Sequence, residues 1–196
     1  HSDHRRQRQM CIRDRSASGF MLMVDSENLI MLFIGLEIGS ISLYALAGLN
    51  RGDKLSNEAS LKYFLLGSLA SCILIYGVSL VYVSFSVFSV YNFALGIAYV
   101  GPDSVPLTTS IGVLLIFIGL LFKIAAAPFQ SWAPDVYQGS PTGYVGFMSS
   151  IAKVSSFIVI ARLCLVSTNL IIENFNIFFL IVIVSSALIG SLFASI

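Results

Sequence analysis

The chain has 196 residues, 57% of them hydrophobic and only 11% charged, with a mean hydropathy of +0.89. Soluble domains carry about a quarter charged residues, so this chain cannot cover a globule with polar surface, and its solvent must be lipid. The formal net charge of +1 hides an asymmetry: of eleven basic residues, five (Arg5, Arg6, Arg8, Arg13, Arg15) fall in the first fifteen positions, leaving six against eight acids from residue 16 onward and no basic face for nucleic acid.

The chain opens with HSDHRRQRQMCIRDRSASG. It lacks the apolar stretch of a secretory signal, and Asp3 and Asp14 set it apart from transit peptides, which are nearly free of acids. MCIRD is also what ATG-TGT-ATA-AGA-GAC encodes, a string similar to a common sequencing-library adaptor. Residues 1–19 are therefore expected to be a non-native or disordered tail, ahead of a transmembrane domain over 20–196. Cys11, Cys72 and Cys164 show no CxxC spacing; they read as one tail residue and two small apolar helix residues.

Five long apolar stretches follow, at about 28–49, 59–83, 107–127, 144–166 and 175–196. Each has roughly the 20 residues needed to cross about 30 Å of hydrocarbon. Backbone groups in lipid must be satisfied internally, so these are helices. The expected fold is all-α, a polytopic bundle of about five spans. NRGDKLSNE (50–58) reads as a short charged loop closing a helical hairpin, YVGPDSVP (99–106) as a turn-rich loop, and APDVYQGSPTG (133–143) as a Pro- and Gly-punctuated connection. Arg51 and Lys54 would place the first loop on the positive-inside face, but Arg162 then falls on the opposite face, so orientation is not settled by charge.

The first span carries Glu37 in LFIGLEIGSISLY, with Ser40 and Tyr44 at i+3 and i+7 on the same stripe. Gly35 and Gly39 lie about 200° away from Glu37 around the helix. They read as a packing face for another helix rather than as part of a site. Lys62 lies near the start of the second span, where a lysine commonly snorkels to the interface.

The third span holds GLLFKIAAAPFQSW (119–132), in which Lys123 sits amid apolar residues and Pro128 sits within a helix. Pro128 has no amide hydrogen, so the carbonyl of Ile124, next to Lys123, loses its partner. As one straight helix, 107–138 would run about 48 Å, too long for the hydrocarbon core without strong tilt. A broken helix near Lys123–Pro128 is expected, with one hydrated cavity accommodating both the lysine and the break. The fourth span carries Lys153 in GFMSSIAKVSSF, with Ser149, Ser150 and Ser156 around it, a face that favours a hydrated path.

Ionisable groups at membrane depth cost about 2.5–3.5 kcal/mol each on insertion scales and mark functional sites by default. Amines and carboxylates in mutual reach can pass protons. By helix rise Glu37 is poorly matched in depth to Lys62, which leaves Lys123 or Lys153 as its partner.

GLLFKIAAAPFQSWAPDVYQGSPT and SSIAKVSSFIVIARL, preceded in order by LFIGLEIGSISLYAL and EASLKYFLLGSLASCILIYGVSLVY, resemble antiporter-like subunit 2 of respiratory complex I, the proton-pumping NADH:ubiquinone oxidoreductase. The resemblance covers about residues 24–196. It implies a proton relay in which Glu37 pairs with the broken-helix Lys123, Lys153 is the central lysine of the path, and Lys62 is an additional lysine. It also implies no cofactor or metal in this chain. NADH, FMN, iron–sulfur clusters and ubiquinone would belong to partner subunits, the other membrane-arm subunits of complex I.

Three departures from the family pattern stand out. Gln130 occupies a position where many relatives have His, and Gly143 one where many have Pro. The family's second, inverted repeat would begin where this chain stops, so the domain is expected to be incomplete at its C-terminus, with a missing or separate remaining half. The low-charge, Phe- and Ser-rich style suggests a mitochondrial inner membrane, with a bacterial plasma membrane as the alternative. Two other readings stand beside the relay: a subunit of a multi-subunit cation/proton antiporter, and a non-pumping membrane scaffold whose charges merely pair.

Overall fold

The structure, a computed structural model, describes residues 2–50, 52–101, 104–166 and 175–195. His1 of the expected tail, Arg51 of the charged loop, and Pro102 and Asp103 of the turn-rich loop lie outside the described residues. In chain order the helices are α1 (Ser2–Asp25), α2 (Leu29–Ala47), α3 (Lys54–Phe85), α4 (Val90–Val100), α5 (Leu107–Ile124), α6 (Trp132–Gly139), α7 (Thr142–Val166) and α8 (Asn176–Ser195). Four segments, Leu29–Ala47, Lys54–Phe85, Leu107–Gly139 and Thr142–Leu165, are long and apolar enough to cross a membrane. They are the first four expected spans; the fifth expected stretch corresponds to α8, whose apolar part among the described residues, Asn176–Leu192, is shorter than these four. The third is broken, as its length and Pro128 predict.

α1 spans Ser2–Asp25 and so includes most of the segment expected as a tail together with the start of the expected transmembrane domain. A Cβ added to Gly19 would stand 2.5 Å from the Gly39 amide nitrogen, and one on Gly35 would stand 2.5 Å from that of Met23. The backbones of α1 and α2 therefore touch, and the Gly35/Gly39 pair does face another helix. Ser16 donates to the Gly39 carbonyl at 3.2 Å, while Phe20 and Met23 are buried in the same seam. Nearer the N-terminus, Tyr144 of α7 donates to Gln9 at 2.7 Å, and the Arg13 guanidinium lies 5.5 Å from the ring centres of Tyr144 and Phe147.

Two connections differ from expectation. α3 starts at Lys54, inside the expected loop, because Asp53 caps it by accepting from the Leu55 amide at 3.0 Å. Lys62 is thus about 12 Å into its helix by rise, deeper than the loop boundary implied. Beyond α3, Ser86 takes a left-handed conformation (φ 55°, ψ 28°) and turns the chain into α4, which the sequence pattern did not reveal. That turn is stitched to the α1–α2 turn: Leu29 donates to the Phe88 carbonyl and Val90 to that of Glu27, both at 2.8 Å. α4 ends at Gly101, so Tyr99 and Val100 are helical rather than loop.

α3 is the central element and packs on α2, α5 and α6, while α7 packs on α1, α2, α4 and α5. Gly77 and Gly112 let the backbones of α3 and α5 meet; a Cβ on Gly77 would come within 2.6 Å of the Gly112 carbonyl. Leu36, Leu43, Leu74, Val81, Phe117 and Leu120 fill the resulting core. Outward, Leu61, Leu65 and Leu69 form an exposed apolar stripe on α3. Arg162 of α7 donates to the carbonyls of Val24 and Ser26. It satisfies the exposed C-terminal end of α1, which accounts for an arginine on that face irrespective of loop charge.

Gly35→Val forces α1 and α2 apart and is expected to destabilise the bundle by about 1–3 kcal/mol. Gly146→Ala meets nothing within 4 Å and should be neutral. Thermal unfolding in detergent, followed by helical circular dichroism, compares the two.

Candidate functional site

Lys123 occupies the last turn of α5. The helix ends there because Ala125 adopts the left-handed conformation (φ 57°, ψ 42°). Ala125 donates to the Phe122 carbonyl at 3.0 Å and Ala126 to that of Leu121 at 3.1 Å. This is the double bond pattern of a Schellman turn, with alanine where glycine is usual. Pro128 acts through its neighbour: a residue before proline avoids the helical region, so the chain cannot resume a helix until the short 3₁₀ turn Phe129–Ser131. The break therefore lies just before Pro128, and its cause is shared between Ala125 and Pro128.

The freed polar groups of the break find protein partners. The Ala127 amide donates to Ser186 Oγ of α8 at 3.0 Å, and Trp132 Nε1 donates to the Phe122 carbonyl at 3.2 Å. Lys123 is 5% exposed. Its Nζ donates to Ser40 Oγ and to Tyr44 Oη, each at 3.1 Å, and lies 5.7 Å from the Tyr44 ring centre. A cation in the last turn also faces the negative end of the helix dipole, which contributes about 0.3–1 kcal/mol or more when partly buried. The polar groups at Lys123 Nζ are thus two hydroxyls and the carbonyl end of α5.

Both hydroxyls belong to the stripe that begins at Glu37. Asn28 starts α2 by accepting from the Ile30 amide at 2.9 Å, and the helical repeat then lines up Glu37, Ser40 and Tyr44 toward α5. Tyr44 fits because α3 carries Gly67 opposite it; a Cβ there would lie 2.2 Å from the Tyr44 hydroxyl oxygen. Glu37 itself makes no ion pair within 4.0 Å among the described residues, and its Oε1 is buried without a hydrogen-bond partner.

Lys153 and Lys62 stand apart from this cluster. Lys153, half-buried on α7, has its Nζ 5.6 Å from the ring centre of Tyr137 on α6. Of the serines around it, Ser149 and Ser150 donate to the Gly146 carbonyl at 3.1 and 2.7 Å, and Ser156 Oγ is buried without a hydrogen-bond partner. Lys62 is exposed and clamped between Glu58 Oε1 at 2.8 Å and Asp135 Oδ2 of α6 at 2.7 Å. With Leu55, Ala59, Gln138 and Gly139 these charges line a cleft of about 180 Å³. Beside the break, Gln130 Oε1 is buried and unpartnered.

Sequence reasoning missed an aromatic wall between Lys123 and Lys153. Tyr44 meets Tyr63 edge-on at 4.7 Å, Tyr63 stacks on Trp132 at 4.9 Å, and Trp132 meets Tyr137 at 6.2 Å. One end of the wall lies under Lys123 and the other under Lys153. The available signal was the single tryptophan of the chain, at the end of the stretch 119–132 and five residues before Tyr137, which falls in the segment 133–143 read as a connection. Asp135 was missed for the same reason.

Ala125→Val places a β-branched side chain at positive φ and is expected to cost about 1–3 kcal/mol. Ala125→Gly should lie within about 1 kcal/mol of the parent, since relieved strain opposes added chain entropy. Detergent thermal unfolding of the two variants checks the assignment of the turn.

Comparison with known proteins follows the same residues. Residues 26–196 match the profile of the family described as NADH:quinone oxidoreductase/Mrp antiporter, transmembrane. The chain is 46% identical over 161 residues to NADH-quinone oxidoreductase subunit N 1 of Chloroherpeton thalassium, covering 81% of this chain and 32% of the relative. It is 39% identical over 177 residues to subunit N of Flavobacterium psychrophilum, covering 90% and 38%. Among solved structures, a chain of respiratory complex I from Thermus thermophilus with bound aureothin aligns with a TM-score of 0.65 at 36% identity, covering 76% of this chain and 32% of that one. A chain of an archaeal membrane-bound sulfane sulfur reductase aligns with a TM-score of 0.68 at 29% identity, covering 76% and 29%. The chain thus spans about a third of the length of the relatives it matches. With its helix order and broken α5–α6 element, it belongs to the NADH:quinone oxidoreductase/Mrp antiporter transmembrane family.

Proposed function

We propose that the chain is part of a proton-translocating membrane-arm subunit of NADH:quinone oxidoreductase, of the antiporter-like subunit 2 type. In this reading Glu37, Lys123, Lys153 and Lys62 hold and pass protons, driven by quinone reduction elsewhere in the complex. The observation that carries it is the Lys123 ammonium, buried at a helix break and held by two hydroxyls of the Glu37 stripe. A purely structural lysine would gain more from a carboxylate within contact distance; this one is held by neutral groups, with the acid nearby and unpaired. That arrangement leaves a proton free to be exchanged.

Lys153 continues the path on α7, and Lys62 sits at a charged cleft open to the surface, where protons could enter or leave. NADH, FMN, iron–sulfur clusters and ubiquinone would be bound by partner subunits, with lipid around the outward faces of α3 and α8. The bacterial relatives favour a bacterial plasma membrane over the mitochondrial inner membrane suggested by composition. A cation/proton antiporter subunit is a second reading, favoured by the family description, which names both systems.

In the assembled complex reconstituted into vesicles, Lys123→Met and Lys153→Met should each preserve assembly. Each should lower coupled turnover by at least about tenfold, a conservative threshold beside the roughly 10²–10⁴-fold that a positioned proton-transfer group contributes. The same loss accompanied by a strict dependence on sodium gradients would favour the antiporter reading. Wild-type proton-to-electron ratios in both variants would identify a scaffold instead.

A further inference from the structure

We infer that the Ser40 hydroxyl is a proton-carrying group between Lys123 and Glu37, with Tyr44 positioning the ammonium. The inference rests on the relay reading above and adds a residue to it. Ser40 is 2% exposed, and its Oγ already accepts from Lys123 Nζ at 3.1 Å. Glu37 lies three residues before Ser40, and side chains so spaced on a helix are neighbours, about 5–6 Å apart at Cβ. Glu37 Oε1 is buried and has no hydrogen-bond partner, so it is an acceptor with unused capacity beside a hydroxyl whose oxygen is already engaged.

Tyr44, by contrast, is seven residues and about 10 Å of rise beyond Glu37. It can hold the ammonium but lies far along the helix from the acid. No ion pair joins Glu37 and Lys123 among the described residues, and Ser40 both bonds the Lys123 ammonium and lies one helical turn from Glu37, which suits it to carry a proton between them.

The step balances without any further reactant. A change of Glu37 rotamer brings Oε1 to Ser40. One N–H bond of the Lys123 ammonium breaks as its proton passes to Ser40 Oγ, and the original Ser40 proton passes to Glu37. A carboxyl O–H bond forms, the serine is regenerated, and the pair ends as neutral amine and neutral acid. The reverse step restores the charged pair. Total charge is unchanged, which suits a site where separated charge is costly to solvate.

Ser40→Ala, Ser40→Thr and Lys123→Met in the full assembled complex, reconstituted into vesicles, test this, with each rate normalised to assembled complex. Ser40→Ala should slow coupled turnover by at least about tenfold, as loss of a proton-transfer group does, and Ser40→Thr, which keeps a hydroxyl, should restore it to within about threefold of the parent. Wild-type turnover in Ser40→Ala alongside loss in Lys123→Met would overturn the role of Ser40 and leave the relay standing. Failure of Ser40→Thr to restore turnover would also overturn it, since a packing defect would then explain the loss. Wild-type proton-to-electron ratios in both Ser40→Ala and Lys123→Met would remove the relay and this step together.

Discussion

A primary ammonium buried among helices must be matched by polar groups or lose its charge, and the arrangement around Lys123 follows from that requirement. Three sources meet it together: the carbonyl end of α5, the hydroxyls of Ser40 and Tyr44, and the ring face of Tyr44. None of them is a formal negative charge. A carboxylate in contact would bind the ammonium more tightly and also oppose its deprotonation. Neutral acceptors stabilise the cation without a counter-charge in contact, and the Glu37 Oε1 on the same stripe is buried without a hydrogen-bond partner.

The break in α5 is what makes the carbonyl end available, and α6 is what makes the break stable. After Pro128 the chain turns through Phe129–Ser131 into an eight-residue helix whose Trp132 reaches back to the Phe122 carbonyl. The same indole stacks between Phe122 and Tyr63. From that anchor α6 presents Tyr137 to Lys153 and Asp135 to Lys62. A short helix of low independent stability thus contacts two of the lysines that the family resemblance singles out, and the residues ahead of it hold the third.

Much of this was legible in the sequence, for reasons that can be stated. Apolar length gave the spans because hydrocarbon thickness sets a minimum helix length. The Glu37–Ser40–Tyr44 stripe was readable because helical periodicity is independent of partners. The Gly35/Gly39 pair was readable as a packing face, although its partner was not, because α1 looks like an arginine-rich tail until Gly19 is placed against it. The break was anticipated from Pro128, but its left-handed corner at Ala125 was not: alanine carries no signature of positive φ, and only tertiary contacts impose it. α4 was hidden because the turn before it depends on Ser86, again a residue with no strong turn signal. Around Lys153 the serine pattern was readable as a helix face, while the bonds of Ser149 and Ser150 to their own helix carbonyl were not, since sequence does not fix hydroxyl rotamers.

The hydrogen bond from the Ala127 amide to Ser186 ties the corner of the third span to the last helix. No neighbouring carbonyl in the irregular stretch takes that amide, so sliding α8 away would strand a donor in an apolar setting, at a cost of about 1–3 kcal/mol. Displacement of α8 is thereby resisted at a point four residues from Lys123. The last helix acts as a mechanical tether on the lysine turn, and tilting it by a small angle would be felt there before it disturbed the tightly packed α3–α5 seam.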